Sequence, residues 1–253
     1  MPTEGDMWPD QGVGAPPPLV IAHRGASAAH PENTVAAFRG AAALGADWVE
    51  LDVRRTRDEV LVVHHDAVLP DGRVIVELAA AELPSTVATL DAALDACEAE
   101  HLGVNVEIKS DPRDPDFDPE QRVAERVAEM LLVTDAVGPY LVTSFDWRCL
   151  RRVRDVAPTL ETGQLGFGGT DMAVAVRRAR EAGHVAINPY RLEVDAGLVE
   201  LAHGAGLRVY PWTVDDPAEM AALLALGVDG IITNVPDRLR ALVGPVAGRP
   251  PQG

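Results

Sequence analysis

The chain has 253 residues, enough for one sizeable core, and 47% hydrophobic content with mean hydropathy near zero fits a globular protein in water. A formal net charge of −17 excludes a nucleic-acid or anionic-membrane partner held by bulk electrostatics, and any phosphate site must carry its own local cations. The two cysteines, Cys97 and Cys149, lack metal-ligand spacing and read as reduced, buried thiols.

The opening MPTEGDMWPDQGVGAPPP has no basic region followed by an apolar stretch, so residues 1–17 read as a disordered tail rather than a signal peptide, and 245–253 as a second tail. No apolar run approaches ~20 residues, so no membrane span is expected and the cytoplasm is the expected location. Between 18 and 244, read as one domain, short apolar runs alternate with amphipathic, Ala-rich stretches. Strands are predicted over 19–24, 48–54, 104–109, 140–145, 160–166, 185–190, 208–213 and 230–234. Helices are predicted over 33–45, 89–100, 119–133, 147–156, 171–182, 195–205, 217–226 and 237–243. Eight strands each followed by a helix predict an α/β (β/α)₈ TIM barrel with a short hairpin insertion after the second strand. A doubly wound open sheet is the alternative, but it rarely reaches eight such units.

Barrel active sites lie at the C-terminal ends of strands, and there this sequence places its unusual charges. His23 and Arg24 end the first strand, Glu50 and Asp52 sit in the second, and Glu107 and Lys109 close the third. Alternation puts Glu50 beside Asp52, and Glu107 beside Lys109, among Val, Leu and Ile flanks. Uncompensated burial of such charges costs several kcal/mol each, so they must pair with one another, a cation or a ligand. Ser144, Asn188, Trp212 and Asn234 fall at later strand ends.

The stretch DVRRTRDEVLVVHHD reads as a hairpin turning at Asp58-Glu59. A two-residue loop makes paired positions sum to 117, placing Asp52 opposite His65 and pointing His64 the other way. Glu50, Asp52 and Glu107 offer all-oxygen ligation suited to Mg²⁺ or Ca²⁺, not zinc; a salt-bridge layer with Arg24 and Lys109 is the plainer reading. Two cations cannot neutralise three carboxylates together with Asp66. Lys109 is the only lysine against 21 arginines, and a compact ammonium there is not replaceable by a planar guanidinium, whereas Arg24 has the fork that suits phosphate. His23 and His65 flank the expected cation and can act as base and acid. His30, His101, His184 and His203 read as surface residues. GFGGT at 166–170 reads as a flexible loop rather than a phosphate cradle, and Trp212 is placed to stack on substrate or to cap the barrel top.

The segments AHRGASAAHPENTVAAF, VELDV, VVHHD and NVEIK, with weaker echoes in VTSFD, VYPWTVDD and GVDGIITNVPD, resemble the glycerophosphodiester phosphodiesterase family over about residues 20–240. The resemblance implies hydrolysis of a small glycerophosphodiester to sn-glycerol 3-phosphate and an alcohol, with one divalent cation, Ca²⁺ or Mg²⁺, held by Glu50, Asp52 and Glu107. It implies His23 and His65 as the general acid/base pair, Arg24 and Lys109 on phosphate oxygens, and Glu32 and Asn33 shaping the loop around His23. A neighbouring glycerol hydroxyl would attack phosphorus first, giving a cyclic phosphate that water opens. Three departures stand out: no Arg-Thr-Thr after the HD motif, a short segment over 67–88, and Asn234 where many members have Asp. A lysophospholipase D-like activity of the same machinery would require an apolar groove at the barrel mouth. A non-catalytic ligand-binding barrel would have lost site residues, and none is lost here.

Overall fold

The computed structural model describes residues 16–133 and 139–245; the tails expected at 1–17 and 245–253 lie outside this range except for Pro16, Pro17 and Pro245. Strands β1 (Leu19–His23), β2 (Trp48–Arg55), β3 (Leu61–Val63), β4 (Gly103–Ile108) and β5 (Tyr140–Ser144) are followed by β6 (Glu161–Leu165), β7 (Ala186–Asn188), β8 (Arg208–Val209) and β9 (Gly230–Thr233). The helices are α1 (Val35–Ala43), α2 (Leu90–Ala99), α3 (Arg122–Val133), α4 (Trp147–Val156), α5 (Met172–Glu181), α6 (Ala196–Gly204), α7 (Pro217–Ala225) and α8 (Pro236–Val243).

All strands but β3 run parallel in the order β8-β7-β6-β5-β4-β2-β1-β9. The sheet closes through backbone bonds from Asp229 N to Val209 O (3.1 Å) and Ile232 N to Pro211 O (3.0 Å). This is the expected (β/α)₈ barrel. Regular pairing of β8 stops well short of the predicted residue 213, because Pro211 has no N–H to give a ladder. Six helices start on a side-chain cap (Thr34, Thr89, Asp146, Asp171, Asp195 and Asp216), each worth about 1 kcal/mol. These caps fix where each loop over the barrel mouth ends.

The alternation in β2 and β4 explains why charged residues sit among apolar ones. Val49, Leu51, Val53, Val104, Val106 and Ile108 point outward into the strand–helix core. Ile21, Trp48, Leu141, Ala186, Tyr210 and Ile232 form a separate plug inside the barrel. The Trp48 ring covers Gly103, where an added Cβ would lie 2.4 Å from it. The plug fills one end of the barrel interior and leaves the inward polar residues Glu50, Asp52, Asn105 and Glu107 toward the other.

The hairpin register differs from expectation by one residue. β3 pairs antiparallel with β2 as Val53↔Val63, Arg54↔Val62 and Arg55↔Leu61, so positions sum to 116. The loop has three residues, Arg57 to Glu59, with Thr56 N donating to Val60 O (3.0 Å) and Glu59 at φ +66. Such loops place their last residue in the left-handed region, usually as Gly. Here Glu59 takes it while its carboxylate pairs with Arg55, and Thr56 Oγ1 accepts from Val60 N (3.0 Å). Asp52 is therefore opposite His64, whose N donates to Asp52 O (2.9 Å).

Cys97 and Cys149 are free and buried, with burial pushing both thiols up to about 12. His184 is not on the surface as expected: it is 7% exposed and its Nδ1 lies 2.7 Å from Thr162 Oγ1. Among the described residues no helix is long and apolar enough to cross a membrane.

Candidate active site

Glu50 and Asp52 on β2 and Glu107 on β4 are held together by the parallel register Asp52↔Glu107, with one oxygen from each carboxylate within 4.8 Å of the others. All three are buried, Glu50 and Asp52 at 2% and 1% exposure. Lys109 Nζ lies 2.7 Å from Asp52 Oδ1 and donates to Glu107 Oε1. Arg24 Nε lies 3.2 Å from Asp52 Oδ2, and Arg24 N donates to Glu50 Oε2 (3.0 Å).

The loop after β1 is built to make those contacts. Arg24 (φ +56) and Asn33 (φ +57) both adopt left-handed backbone, and Asn33 N closes the loop onto Arg24 O (3.0 Å). Between them Gly25 packs so closely on α1 that a Cβ would lie 2.6 Å from the Ala37 carbonyl carbon. Asn33 Nδ2 donates to Asp52 Oδ2 (2.7 Å), and Asp52 N donates back to Asn33 Oδ1 (3.2 Å). Glu32 holds the far end of Arg24, both carboxylate oxygens accepting from Nη1 at 3.0 Å.

Burial raises Glu50 well above the usual carboxylate range, reinforced by Asp52 and Glu107. Burial also raises Glu107, with Lys109 opposing and Asp52 adding to the shift. For Asp52 burial pushes the same way, but Lys109, Arg24 and His65 outweigh it and hold the carboxyl low. Three carboxylates against two cations leave the cluster short of positive charge, and Glu50 Oε1 is buried without a hydrogen-bond donor. The hard, all-oxygen donor set and that free oxygen fit a divalent cation.

His23 ends β1 with Nε2 4.0 Å from Glu50 Oε2 and Nδ1 2.8 Å from Asn234 Oδ1. Burial first, then Arg24, lowers its pKa. His65 arrives differently from the way the two-residue hairpin implied. β3 ends at Val63, the chain leaves the ladder, and Arg54 Nε bonds His65 O (2.8 Å). The His65 ring then lines the cavity while His64 turns to Asp66 O (2.8 Å). Asp66 Oδ1 lies 2.7 Å from His65 Nδ1.

A cavity of about 680 Å³ runs from His65, Glu107 and Lys109 to Phe145, Trp147 and Phe167. His23, Arg24, Glu50 and Asp52 stand beside this cavity rather than in its wall. Phe145 and Phe167 stack at 3.9 Å, and Trp212 meets Phe145 edge-on at 5.5 Å while its Nε1 donates to Asn188 O (2.9 Å). Trp212 thus stands behind the aromatic wall, its indole N–H bound to a backbone carbonyl. The 166–170 loop contributes Phe167 to that wall, with Gly169 N bonded to Glu193 Oε1 (2.6 Å).

Sequence reasoning missed Phe145, Phe167 and Arg54. The two phenylalanines sit one and two residues beyond strand ends, a position that could have flagged them. Arg54 is 4% exposed and ties the His65 loop to Asp114 (2.9 Å) and Asp116 (2.7 Å). Nothing in its Arg-rich neighbourhood marked it.

The Glycerophosphoryl diester phosphodiesterase family model matches residues 23–238. A glycerophosphodiester phosphodiesterase of Caldanaerobacter subterraneus subsp. tengcongensis is 33% identical, covering 89% of this chain and 97% of its own. One of Bacillus subtilis is 27% identical over 87% of this chain and 84% of its own. The structure of an Oleispira antarctica phosphodiesterase in complex with the product sn-glycerol 3-phosphate superposes with a TM-score of 0.81 at 25% identity, covering 89% of this chain and 96% of that one. With the model spanning nearly the whole barrel and the site residues gathered at its mouth, the chain belongs to the glycerophosphoryl diester phosphodiesterase family.

Proposed function

We propose that this protein hydrolyses glycerophosphodiesters, such as glycerophosphocholine or glycerophosphoethanolamine, to sn-glycerol 3-phosphate and an alcohol. The observation that carries this reading is the buried Glu50–Asp52–Glu107 cluster with Lys109 and Arg24 bonded to it and two histidines beside it. Glu50, Asp52 and Glu107 would hold Mg²⁺ or Ca²⁺, which supplies Lewis-acid stabilisation of charge on the phosphoryl oxygens. With a divalent ion held and all three carboxylates ionised, the cluster with Lys109 and Arg24 would carry one net positive charge, matching a singly charged phosphodiester. Lys109 and Arg24 bind the phosphoryl oxygens, Lys109 as a point charge and Arg24 through its fork.

His23 is the base: burial keeps its ring neutral, and Nε2 is left to take a proton from the attacking hydroxyl. His65, its Nδ1 held by Asp66, delivers a proton to the leaving alkoxide. A hydroxyl of the glycerol moiety is the first nucleophile, and water then opens the cyclic phosphate. Buried free thiols fit a reducing compartment, which supports the cytoplasm as the working location.

One observation favours a second reading. Phe145, Trp147, Phe167, Tyr190 and Trp212 gather at the mouth, and Trp147 and Phe167 remain 46% and 49% exposed. That apolar wall suits a substrate whose glycerol carries an acyl chain, as a lysophospholipid does. Release of sn-glycerol 3-phosphate from glycerophosphocholine, against release of choline from lysophosphatidylcholine, separates the two. Turnover of neither substrate class would overturn both.

A further inference from the structure

Asn234 stands behind His23, and Asp215 stands behind Asn234. Asn234 Nδ2 donates to Asp215 Oδ2 (2.7 Å), and Asn234 N donates to Asp215 Oδ1 (2.8 Å). Thr233 Oγ1 also donates to Asp215 Oδ1 (2.9 Å), so the carboxylate is fixed at the end of β9. A carboxylate can only accept, which obliges the Asn234 amide to turn its NH₂ toward Asp215. Its carbonyl oxygen therefore faces the opposite way, where it lies 2.8 Å from His23 Nδ1 and accepts from Ser27 Oγ (2.7 Å).

We propose that Asp215 and Asn234 are positioning residues that select the Nδ1–H tautomer of His23 by fixing which face of the Asn234 amide meets the ring. An amide oxygen has no proton to give, so His23 Nδ1 must carry one. Nε2 then keeps its lone pair toward Glu50, 4.0 Å away. With the amide reversed, His23 would protonate Nε2 and present no base to a nucleophile on that side. The selection is needed because the amide is symmetric in shape and only its partner can tell its two ends apart.

The inference rests on His23 acting as the base, and two measurements keep the two claims apart. Long-range ¹H–¹⁵N correlations on [¹⁵N]histidine-labelled full chain, with His23→Gln used for assignment, report the tautomer with no turnover required. The expected spectrum shows a pyrrole-type Nδ1 and a pyridine-type Nε2 for His23. Asp215→Asn removes the carboxylate that orients the amide, so the Nδ1–H form should lose its dominance and kcat should fall about 100-fold with KM nearly unchanged. Asn234→Asp alone sets carboxylate against carboxylate and should also lose activity.

The double variant Asp215→Asn/Asn234→Asp restores the logic in mirror image. The amide at 215 donates to the carboxylate at 234, which can only accept from Nδ1, so tautomer and kcat should both recover. An Nε2–H tautomer in the unsubstituted protein would overturn the proposal. So would an Asp215→Asn variant that keeps both tautomer and kcat, or a folded double variant that recovers neither. If the protein turns over neither glycerophosphodiesters nor lysophospholipids, the reading of His23 as base fails while the spectra still decide the tautomer.

Discussion

Lys109 bonds Asp52 and Glu107 at once, its ammonium 2.7 Å from Asp52 Oδ1, and it is the chain's sole lysine. The two carboxylates raise its pKa despite burial, so the group stays charged. Lys109→Met leaves two buried carboxylates without their shared partner and should cost about 3 kcal/mol or more in chelator, read by urea denaturation. Lys109→Arg should also lose activity, because a planar fork cannot occupy a site shaped for a compact ammonium. An arginine variant with parental rates would contradict this role.

His65 and His64 separate cleanly in function if the cavity decides. His65→Ala should lower kcat at least about 100-fold, the low end for a positioned acid or base. His64→Ala, whose ring turns to the Asp66 carbonyl, should leave the rate near that of the parent. Steady-state kinetics on purified variants checks both, and equal losses would mean that His64 also reaches the substrate.

His184 makes a stability prediction unconnected with the site. Burial, aided by Arg154, lowers its pKa to about 4 from an ordinary 6.5. The folded state thus binds its proton less readily than the unfolded chain. The stability it confers is complete above pH 6.5 and is lost as pH falls toward 4, by no more than about 3 kcal/mol. Thermal unfolding across that window should show a steeper fall for the parent than for His184→Asn; parallel curves would refute it.

Cation binding should itself depend on pH. Burial first, then neighbouring carboxylates (Asp52 and Glu107 for Glu50, Asp52 for Glu107), raises both groups, so they hold their protons more tightly than ordinary carboxylates and a divalent ion competes with those protons. Affinity for Mg²⁺ or Ca²⁺ should therefore rise with pH over a range displaced upward from that of ordinary carboxylates, with protons released on binding. Titration calorimetry in buffers of different ionisation enthalpy measures that release, and pH-independent affinity with none released would contradict the shifts.

The barrel was legible because period-2 apolar strands and capped Ala-rich helices alternate without interruption. Glu50, Asp52, Glu107 and Lys109 were visible as charges whose alternation put them on an inward face. The hairpin was not legible, because its third loop residue is Glu59 in a conformation that sequence associates with Gly. The error would have carried through to the histidines had the strand continued; it ends at Val63, and the ring at the cavity is set by Arg54 gripping the His65 carbonyl. Asp215 and Asn234 were invisible as a pair because their meaning lies in the direction of one amide. His184 looked like a surface residue because it follows a helix end, and only its contact with Thr162 on β6 shows that it is buried.

The central claim is a cation-dependent phosphodiester hydrolysis carried by the buried carboxylates. The most direct test is the initial rate of sn-glycerol 3-phosphate release from glycerophosphocholine and glycerophosphoethanolamine by metal-stripped protein titrated with Mg²⁺ or Ca²⁺. The expected result is saturable activation from a negligible baseline, abolished by chelator and by Glu50→Gln or Glu107→Gln in folded protein. Full activity in chelator, or a Glu107→Gln variant that keeps parental activation, would contradict the account.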